Sequence, residues 1–330
     1  MKACNLIFLA CTVTAFAAEV KSGDTQWISD LGGSVNRNAQ GRVTGVSFRG
    51  SWVGDADLRG LNALADLATL DLSLTHITDQ GMQEIKNLRG ITELNLYYAE
   101  YVTDEGLAAI KDWKKLKRLN VHGTKVGDTG LEHISGVAPL ESLNVGSTLM
   151  TDVGLERLTM LPNLKELTMG GNELGDAGLQ ALRQMPALTY LDLSGRQGTD
   201  KNVWTIHMSE VGLEAVLTIK GLRELRLSCG SIGVGIEGAK FGEVSVPNVT
   251  QKWLERIQTL PKLTKLKLQG CNRINDDSVP TLISMPDLHE VDLQGTTVTA
   301  KGAAAIRAAK PGAVVYVGPW EGKSANYRNN

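Results

Sequence analysis

A short aliphatic motif recurs along the chain at an almost fixed interval, and this periodicity limits the fold more than any other feature. Ten strand-like units, mostly apolar–polar–apolar triplets, follow one another from 46–48 to 291–293. Their spacings are 24, 24, 25, 24, 24, 24, 34, 41 and 25 residues. Self-similarity of this length is typical of repeat architectures, in which each unit contacts only its neighbours. The sequence therefore predicts one extended array.

Each unit has a strand half and a helix half. Most triplets are preceded by a further aliphatic residue, which gives the pattern L-x-x-L-x-L. A Thr-Asp-x-Gly-Leu segment follows, as at 151–155, where the Thr is a good N-cap and the Asp favours the positive helix start. Apolar residues then recur at helical spacing, as in Leu155, Leu158 and Leu161, and prolines such as Pro162 end the helix.

Stacked units can bury the apolar face that a single unit leaves uncovered. We therefore predict an α/β solenoid, a right-handed β-α superhelix with a parallel concave sheet and convex helices. About ten repeats occupy 43–310, after an N-terminal cap at 18–42 with a short helix in 24–38. A C-terminal cap and tail fill 311–330, where 314–317 closes the sheet edge.

These two motifs resemble the leucine-rich repeats of exported bacterial proteins of the roughly 24-residue type. The helix start is also similar to the cysteine-containing repeats of F-box-type proteins, although the ninth repeat position is Cys only at Cys271. The resemblance covers residues 42–310 and implies a protein-recognition scaffold. Because no F-box motif precedes the repeats, an F-box-like substrate-recognition adaptor is the most distant alternative.

The first residues have the pattern of a secretory signal peptide. Lys2 precedes an apolar run at 6–16, and the run ends in the small-x-small pattern Ala15-Phe16-Ala17. The run is too short for a membrane anchor, which needs about 20 residues. We expect a signal peptide at 1–17 and a mature protein in the periplasm or outside the cell.

Charge and motif content favour a protein without catalysis. Lys and Arg number 34 against 36 Asp and Glu, so the basic excess of a nucleic-acid binder is missing. The His residues lack ligand spacing, and carboxylates regularly placed at helix starts favour capping over acid–base chemistry. The G-x-G-x-x-G at 233–238 is not followed by a helical pattern, which favours an inserted loop over a dinucleotide site. No enzyme activity, cofactor or metal is predicted.

Side chains alternate along a strand, so the polar residue of each triplet faces away from the core. Tyr97 and His122 are neighbouring candidate anchors for a partner, and Arg226 and Lys267 form a basic spot that fits an anionic one. Alternatively, neighbouring aspartates neutralise the basic pair within the sheet. The candidate contacts on this concave face are Tyr97, His122, Tyr190, Arg226 and Lys267, and the neutralising aspartates are Asp192 and Asp292.

Two insertions, near 196–207 and 230–249, lengthen neighbouring repeats between strand and helix. They should emerge side by side on one rim, the face where solenoids often bind. Trp204, His207 and Phe241 are the candidate contacts there. The alternative is that Trp204 and Phe241 only pack the two loops together.

The cysteines allow one disulfide. Cys4 and Cys11 leave with the signal peptide, whereas Cys229 and Cys271 lie on neighbouring coils. Coils about 4.8 Å apart bring two α-carbons within disulfide range. The alternative is a buried Cys271 with a free Cys229.

Two function classes remain open. The first is a protein-binding scaffold, favoured because solenoids present long surfaces and the sequence shows no catalytic constellation. The second is a carbohydrate- or cell-envelope-binding module, in which Tyr97, Tyr190 and Trp204 would stack on sugars.

Overall fold

The structure is a computed structural model that describes residues 25–137, 139–195, 197–198, 203–228 and 249–319. The predicted signal peptide, Cys229, Phe241 and all but the last residue of the 230–249 insertion lie outside these residues. Within them, twelve strands form one sheet whose spatial order is the order along the chain. This arrangement confirms the predicted α/β solenoid.

The strands are short, and equivalent residues of successive coils pair in parallel without a register shift. Leu70 pairs with Leu94, and Leu94 with Leu119, so the inner leucines form a continuous column. The strands are β1 (Ser34–Arg37), β2 (Val43–Ser47), β3 (Thr69–Asp71), β4 (Glu93–Asn95), β5 (Arg118–Asn120), β6 (Ser142–Asn144), β7 (Glu166–Thr168), β8 (Tyr190–Asp192), β9 (Gln197–Gly198), β10 (Val203–Trp204), β11 (Glu224–Arg226), β12 (Lys265–Lys267), β13 (Glu290–Asp292) and β14 (Val314–Tyr316).

The first strand differs from the expectation for the N-terminal cap. The predicted helix within 24–38 is only five residues long, and the chain then turns back as β1, which pairs antiparallel with β2. Gly33 lies at the turn because a Cβ there would stand 2.7 Å from Phe48 and 2.8 Å from Ile28. The cap thus covers the first core residues with a strand as well as a helix.

The helices pack side by side on the opposite face from the sheet, and five of the ten described α-helices begin at an Asp that follows Thr or Gly. Short 3-10 segments occur at Asp55–Ala63, Gln180–Gln184 and Asp276–Ser278. The α-helices are α1 (Gln26–Asp30), α2 (Asp79–Ile85), α3 (Asp104–Ile110), α4 (Asp128–Ser135), α5 (Asp152–Leu158), α6 (Asp176–Leu179), α7 (Glu210–Leu217), α8 (Gln251–Ile257), α9 (Val279–Ser284) and α10 (Ala300–Ala309).

A hydrogen bond between coils explains why the same aspartate recurs at the helix starts of this chain. The first Asp of one helix accepts from the N-cap residue of the next coil: Thr151 donates to Asp128 from its backbone N (2.9 Å) and from its Oγ1 (2.7 Å). The same Oγ1 accepts from Val153 N at 3.3 Å. We call this series the junction ladder. Its accepting residues are Asp55, Asp79, Asp104, Asp128, Asp152, Asp176 and Asp276.

The glycine of the motif makes room for that aspartate. At Gly178, an added Cβ would stand 2.8 Å from the Asp152 Cα and closer still to its carboxylate. The first ladder coil has Asp57 in place of this glycine and no preceding aspartate; Asp57 itself accepts from Gly54 N at 2.9 Å. The last coil keeps Gly302 against Asp276.

The core is a continuous aliphatic column between sheet and helices. Most inner strand and helix side chains are almost fully buried, and each contributes about 1.5–3 kcal/mol on burial. Trp113 is the largest fully buried side chain among the described residues, and its Nε1 donates to the Lys86 carbonyl at 3.0 Å. A single coil could not bury these groups alone, so stability depends on stacking.

Candidate functional site

Along the edge where each strand passes into its helix, rings from successive coils stack on one another. Trp52 stacks on His76 with ring centroids 5.6 Å apart and planes 7° apart. Tyr101 lies 5.9 Å from His76, and Lys125 Nζ lies 5.6 Å from the centre of the Tyr101 ring. These residues occupy equivalent positions in successive coils, so the stacking of the coils brings their side chains together. We call the four residues the aromatic edge.

Alternation of the backbone exposes the aromatic edge. Each of its members immediately precedes a buried aliphatic residue, as Trp52 precedes Val53 and Tyr101 precedes Val102. The anchored neighbour turns the ring outward, and Trp52 is 86% exposed. This column lies outside the strand residues from which the partner contacts were predicted. Its signal in the sequence is the residue before the buried aliphatic that follows each strand, which is Trp52, His76, Tyr101 and Lys125 in successive coils.

Exposed apolar side chains are concentrated near this edge. Seven of the ten exposed large hydrophobic residues within the described ranges lie in the strand-to-helix loops or at the helix starts that follow. These seven are Trp52, Leu74, Tyr98, Tyr101, Leu149, Val153 and Val211. Contiguous exposed apolar surface commonly marks an interaction site.

Two of these residues also adopt a backbone conformation that disfavours their side chains. Leu74 has φ 57° and Tyr98 has φ 52°, at a turn where Gly123 and Gly171 stand in other coils. A non-glycine residue in this region costs about 1–3 kcal/mol. The Tyr98 ring lies over Gly123, where an added Cβ would be 2.9 Å from it. The chain therefore places apolar groups at a strained turn.

The predicted anchors Tyr97 and His122 do meet, but the structure buries one of them. Their rings stack with centroids 5.1 Å apart at 18°, and Tyr98 lies 5.4 Å from His122. His122 is only 5% exposed and sits above Gly146. Burial lowers the pKa of His122 to about 4, against an opposing hydrogen bond with Asn144. His122 is therefore less exposed than the sequence predicts, because Tyr97 and Tyr98 cover its ring, and its role in partner binding stays a prediction.

The polar column of the concave face has a structural role in the strands. Asn95 Oδ1 accepts from Tyr97 N at 3.1 Å, and Asn144 Oδ1 accepts from Gly146 N at 3.0 Å. Asp71 and Asp192 accept in the same way from the residue two positions later. These side chains hold the end of each strand.

The predicted basic spot is internally paired. Arg226 Nη2 lies 2.6 Å from Glu224, and Arg226 Nη1 lies 3.8 Å from Asp192. Lys267 pairs with Glu290 rather than with the expected Asp292. Glu290 lies on the neighbouring strand β13, one column away from Lys267, where the longer glutamate reaches the ammonium. The Arg226 and Lys267 charges are thus balanced within the sheet.

Tyr190, the remaining concave candidate, belongs to the same network. Arg226 lies 5.2 Å from the centre of its ring, and the Tyr190 hydroxyl donates to Asp192 at 3.2 Å. Burial raises the pKa of Tyr190 and that of Asp192, the latter against the opposing effect of Arg226. Tyr190, Asp192 and Arg226 therefore interact with one another, and their role in partner binding stays a prediction.

The first insertion begins and ends in a small ribbon. β9 and β10 pair antiparallel, with Trp204 opposite Gln197, and Trp204 is half-buried. His207 is exposed, and its backbone N donates to Leu174 O at 2.7 Å. This bond is equivalent to the bond from Lys125 N to Val102 O, so His207 continues the column of the aromatic edge. Phe241 lies outside the described residues.

Cys271 is buried and takes part in a disulfide, and its Sγ lies 3.0 Å from the Leu227 carbonyl oxygen. Cys229 lies outside the described residues, so its pairing with Cys271 stays a prediction. We expect no free thiol in the denatured, unreduced protein after removal of 1–17. Thiol titration checks this, and two thiols per chain would contradict it.

The described ranges contain no group of three or more His, Cys, Asp or Glu residues able to hold a metal ion. Their helices are all too short or too polar to cross a membrane. The G-x-G-x-x-G segment at 233–238 lies outside them.

Family comparisons detect the repeat directly. Two models described as leucine-rich repeats match residues 138–197 and 64–86. A Caenorhabditis elegans protein named as an RNA-binding protein, EEED8.10, is 29% identical over 92 residues, which span 28% of this chain and 11% of that protein. This chain thus covers only a small part of that relative's length.

Two internalins of Listeria monocytogenes are similar among solved structures. Internalin InlF matches with a TM-score of 0.47 and 19% identity over 79% of this chain and 70% of its own. Internalin C2 matches with a TM-score of 0.45 and 23% identity, over 75% and 84% respectively.

The fold and the family models agree on the nature of the repeat. Each coil joins one short parallel strand to one helix, and the two matched segments fall on such coils. The chain is therefore a leucine-rich repeat α/β solenoid.

Proposed function

We propose that this chain is an exported, non-enzymatic scaffold that binds another protein through its strand-to-helix edge. The observation that carries the proposal is the concentration of exposed apolar side chains there, with Trp52 at 86% exposure. Aromatic residues are enriched at the centres of protein interfaces and dominate their energetics. Leucine-rich repeat domains typically serve as scaffolds for protein binding.

Ring geometry favours a protein over a sugar as the partner. A sugar ring stacks on the face of an aromatic ring, but Trp52 and His76 already cover one face of each other. Tyr97 is covered in the same way by His122, and Tyr190 by Arg226. The ring edges and aliphatic groups suit the mixed side chains of a protein surface. Carbohydrate or cell-envelope binding remains the second candidate, supported by the outward position of Trp52.

Export is proposed from the first residues alone. Lys2, the apolar run at 6–16 and the small residues Ala15 and Ala17 support a cleaved signal peptide and a periplasmic or extracellular location. N-terminal sequencing of the protein purified from its native host tests this, and an intact Met1 would contradict it.

Substitution of the edge should abolish partner capture without unfolding the protein. In Trp52→Ala/Tyr101→Ala, removal of two interface aromatics should weaken partner affinity at least about thirtyfold. The melting temperature should hardly change, because both side chains are half or more exposed. The measurement compares proteins captured from the exported fraction, followed by affinity determination with each purified candidate.

Two further variants make this comparison specific. Met160→Ala removes a 69% exposed apolar group away from the edge and should bind normally. Trp204→Ala tests the alternative that the insertion carries binding. Equal affinity in wild type and the edge variant, or selective retention on a glycan array with no protein partner, would contradict the proposed function.

A further inference from the structure

We propose that the coil of α8 is a salt-sensitive hinge between two blocks of leucine-rich repeat coils. The junction ladder runs without a break from Asp55 to the coil of Gly212, where Asp176 accepts from Ser209 N at 2.8 Å and from Gly212 N at 3.0 Å. It starts again only at Asp276, which accepts from Thr299 N at 2.8 Å. The coil between these blocks has neither part of the motif.

The coils on either side of α8 each carry only one of the two ladder residues, as expected for the last coil of one block and the first coil of the next. The α7 coil keeps Gly212, which makes room for the preceding Asp176, but has Glu210 where a ladder aspartate would serve the next coil. The coil after α8 has Asp276 for its successor but Ser278 in place of the glycine. This reproduces the first ladder coil, which has Asp55 and lacks the glycine.

Within the α8 coil, the ladder geometry is blocked. The sequence Thr250-Gln251-Lys252-Trp253 places an amide at the aspartate position and an indole at the glycine position. Trp253 is 7% exposed, and it stands at the position where other coils need a glycine to make room for the preceding carboxylate. The Thr250 side chain makes no cap hydrogen bond within the helix.

Exposed ion pairs replace the ladder at this junction. Lys252 pairs with Glu210, and Arg256 pairs with Glu214, between α8 and α7. All four side chains are between 40% and 64% exposed. Such pairs are screened at moderate ionic strength and contribute little to stability. Among the described residues, the convex link between α7 and α8 is therefore weaker and more salt-dependent than the links that keep a ladder bond.

The concave side holds at the same place. β8, β11 and β12 pair in register, and Arg226 on β11 lies 3.8 Å from Asp192 on β8, with side chains only 20% and 12% exposed. Buried pairs are screened much less than exposed ones. The hinge therefore opens on the helix side about the intact sheet. Opening increases the curvature and changes the angle between the block with the aromatic edge and the C-terminal coils.

Hydrogen exchange measured by mass spectrometry tests the hinge in the full wild-type chain. Raising salt from low to about 0.5 M, where the screening length falls well below 10 Å, should speed amide exchange in α7 and α8 about fivefold. Exchange in α3 and α4 should stay the same. In Lys252→Gln/Arg256→Gln, the fast exchange should be present at low salt, and its salt dependence should be lost.

A matched control is provided by the α4–α5 junction. Arg157 and Glu132 form a similar exposed pair there, 3.8 Å apart, beside an intact ladder bond from Thr151 to Asp128. Arg157→Gln should leave exchange in α4 and α5 unchanged at both salt concentrations. Salt-independent exchange of α8, or equal acceleration in α4 and α8, would overturn the hinge. Neither outcome depends on whether the aromatic edge binds a protein.

Discussion

Gly178→Ala should lower the free energy of unfolding by about 1–3 kcal/mol, the usual range for overpacking a close contact. Alanine has the higher helix propensity, so a helix considered alone predicts the opposite sign. The added methyl would stand 2.8 Å from the Asp152 Cα, which belongs to the backbone of the preceding coil and cannot rotate away. The helices must separate, and the 2.9 Å bond from Gly175 N to Asp152 is then lost. Urea unfolding measures the change.

Gly136→Ala is the matched control for this substitution. Gly136 follows α4 with φ −83°, and an added Cβ there meets nothing within 4 Å. A glycine-to-alanine change without strain stabilises by about 0.4–1 kcal/mol through the unfolded chain. If Gly178→Ala matches Gly136→Ala in stability, the close approach of coils does not explain the glycine of the motif.

Acidification from pH 7 to pH 4 should destabilise the protein by up to about 3 kcal/mol through His122 alone. Its pKa is about 4 in the folded protein because of burial, against about 6.5 in an unfolded chain. Between these values the unfolded chain binds a proton that the folded protein excludes. Stability is therefore full above about pH 6.5 and falls as the pH drops toward 4.

The contribution of His122 is isolated by comparison with a neutral variant. His122→Gln should show a smaller loss of stability between pH 6.5 and 4 in urea unfolding, whatever its stability at pH 7. His289→Gln, which changes an exposed histidine, should keep the wild-type pH profile. Parallel profiles for wild type and His122→Gln would show that His122 titrates normally in the folded state.

The periodicity was enough to predict the coils because strand and helix positions depend on local burial patterns. It could not reveal β1, since an antiparallel strand in a cap occurs once and leaves no repeat. It also could not reveal that Asp128 accepts from Thr151, because that bond depends on the register between coils. Within one coil, the same aspartate is explained as an ordinary helix-start residue.

The site was harder to predict than the fold, because alternation along a strand gives a direction but not a neighbour. His122 starts on the outward side, yet Gly146 on the next coil leaves space into which its ring folds. Lys267 was expected to meet an aspartate opposite it, but the nearest carboxylate is a glutamate one column away. The aromatic edge lies in loops, whose exposure depends on which residue the core anchors.

The junction ladder makes some coils of the array suitable for tandem duplication. In a coil that carries both residues, the glycine makes room for the aspartate of the coil before it, and the aspartate accepts a hydrogen bond from the coil after it. Tandem duplication of a 24-residue unit such as 127–150 would therefore keep the ladder bond at every junction between coils. Duplication of the α8 coil would instead add a junction that lacks both the aspartate and the glycine. In α10, the last helix of the described residues, Ala300 stands at the aspartate position. Solenoids of this kind can lengthen by gene duplication within a block, whereas the coils at the ends of a block need a different sequence, because each of them lacks one of the two ladder residues.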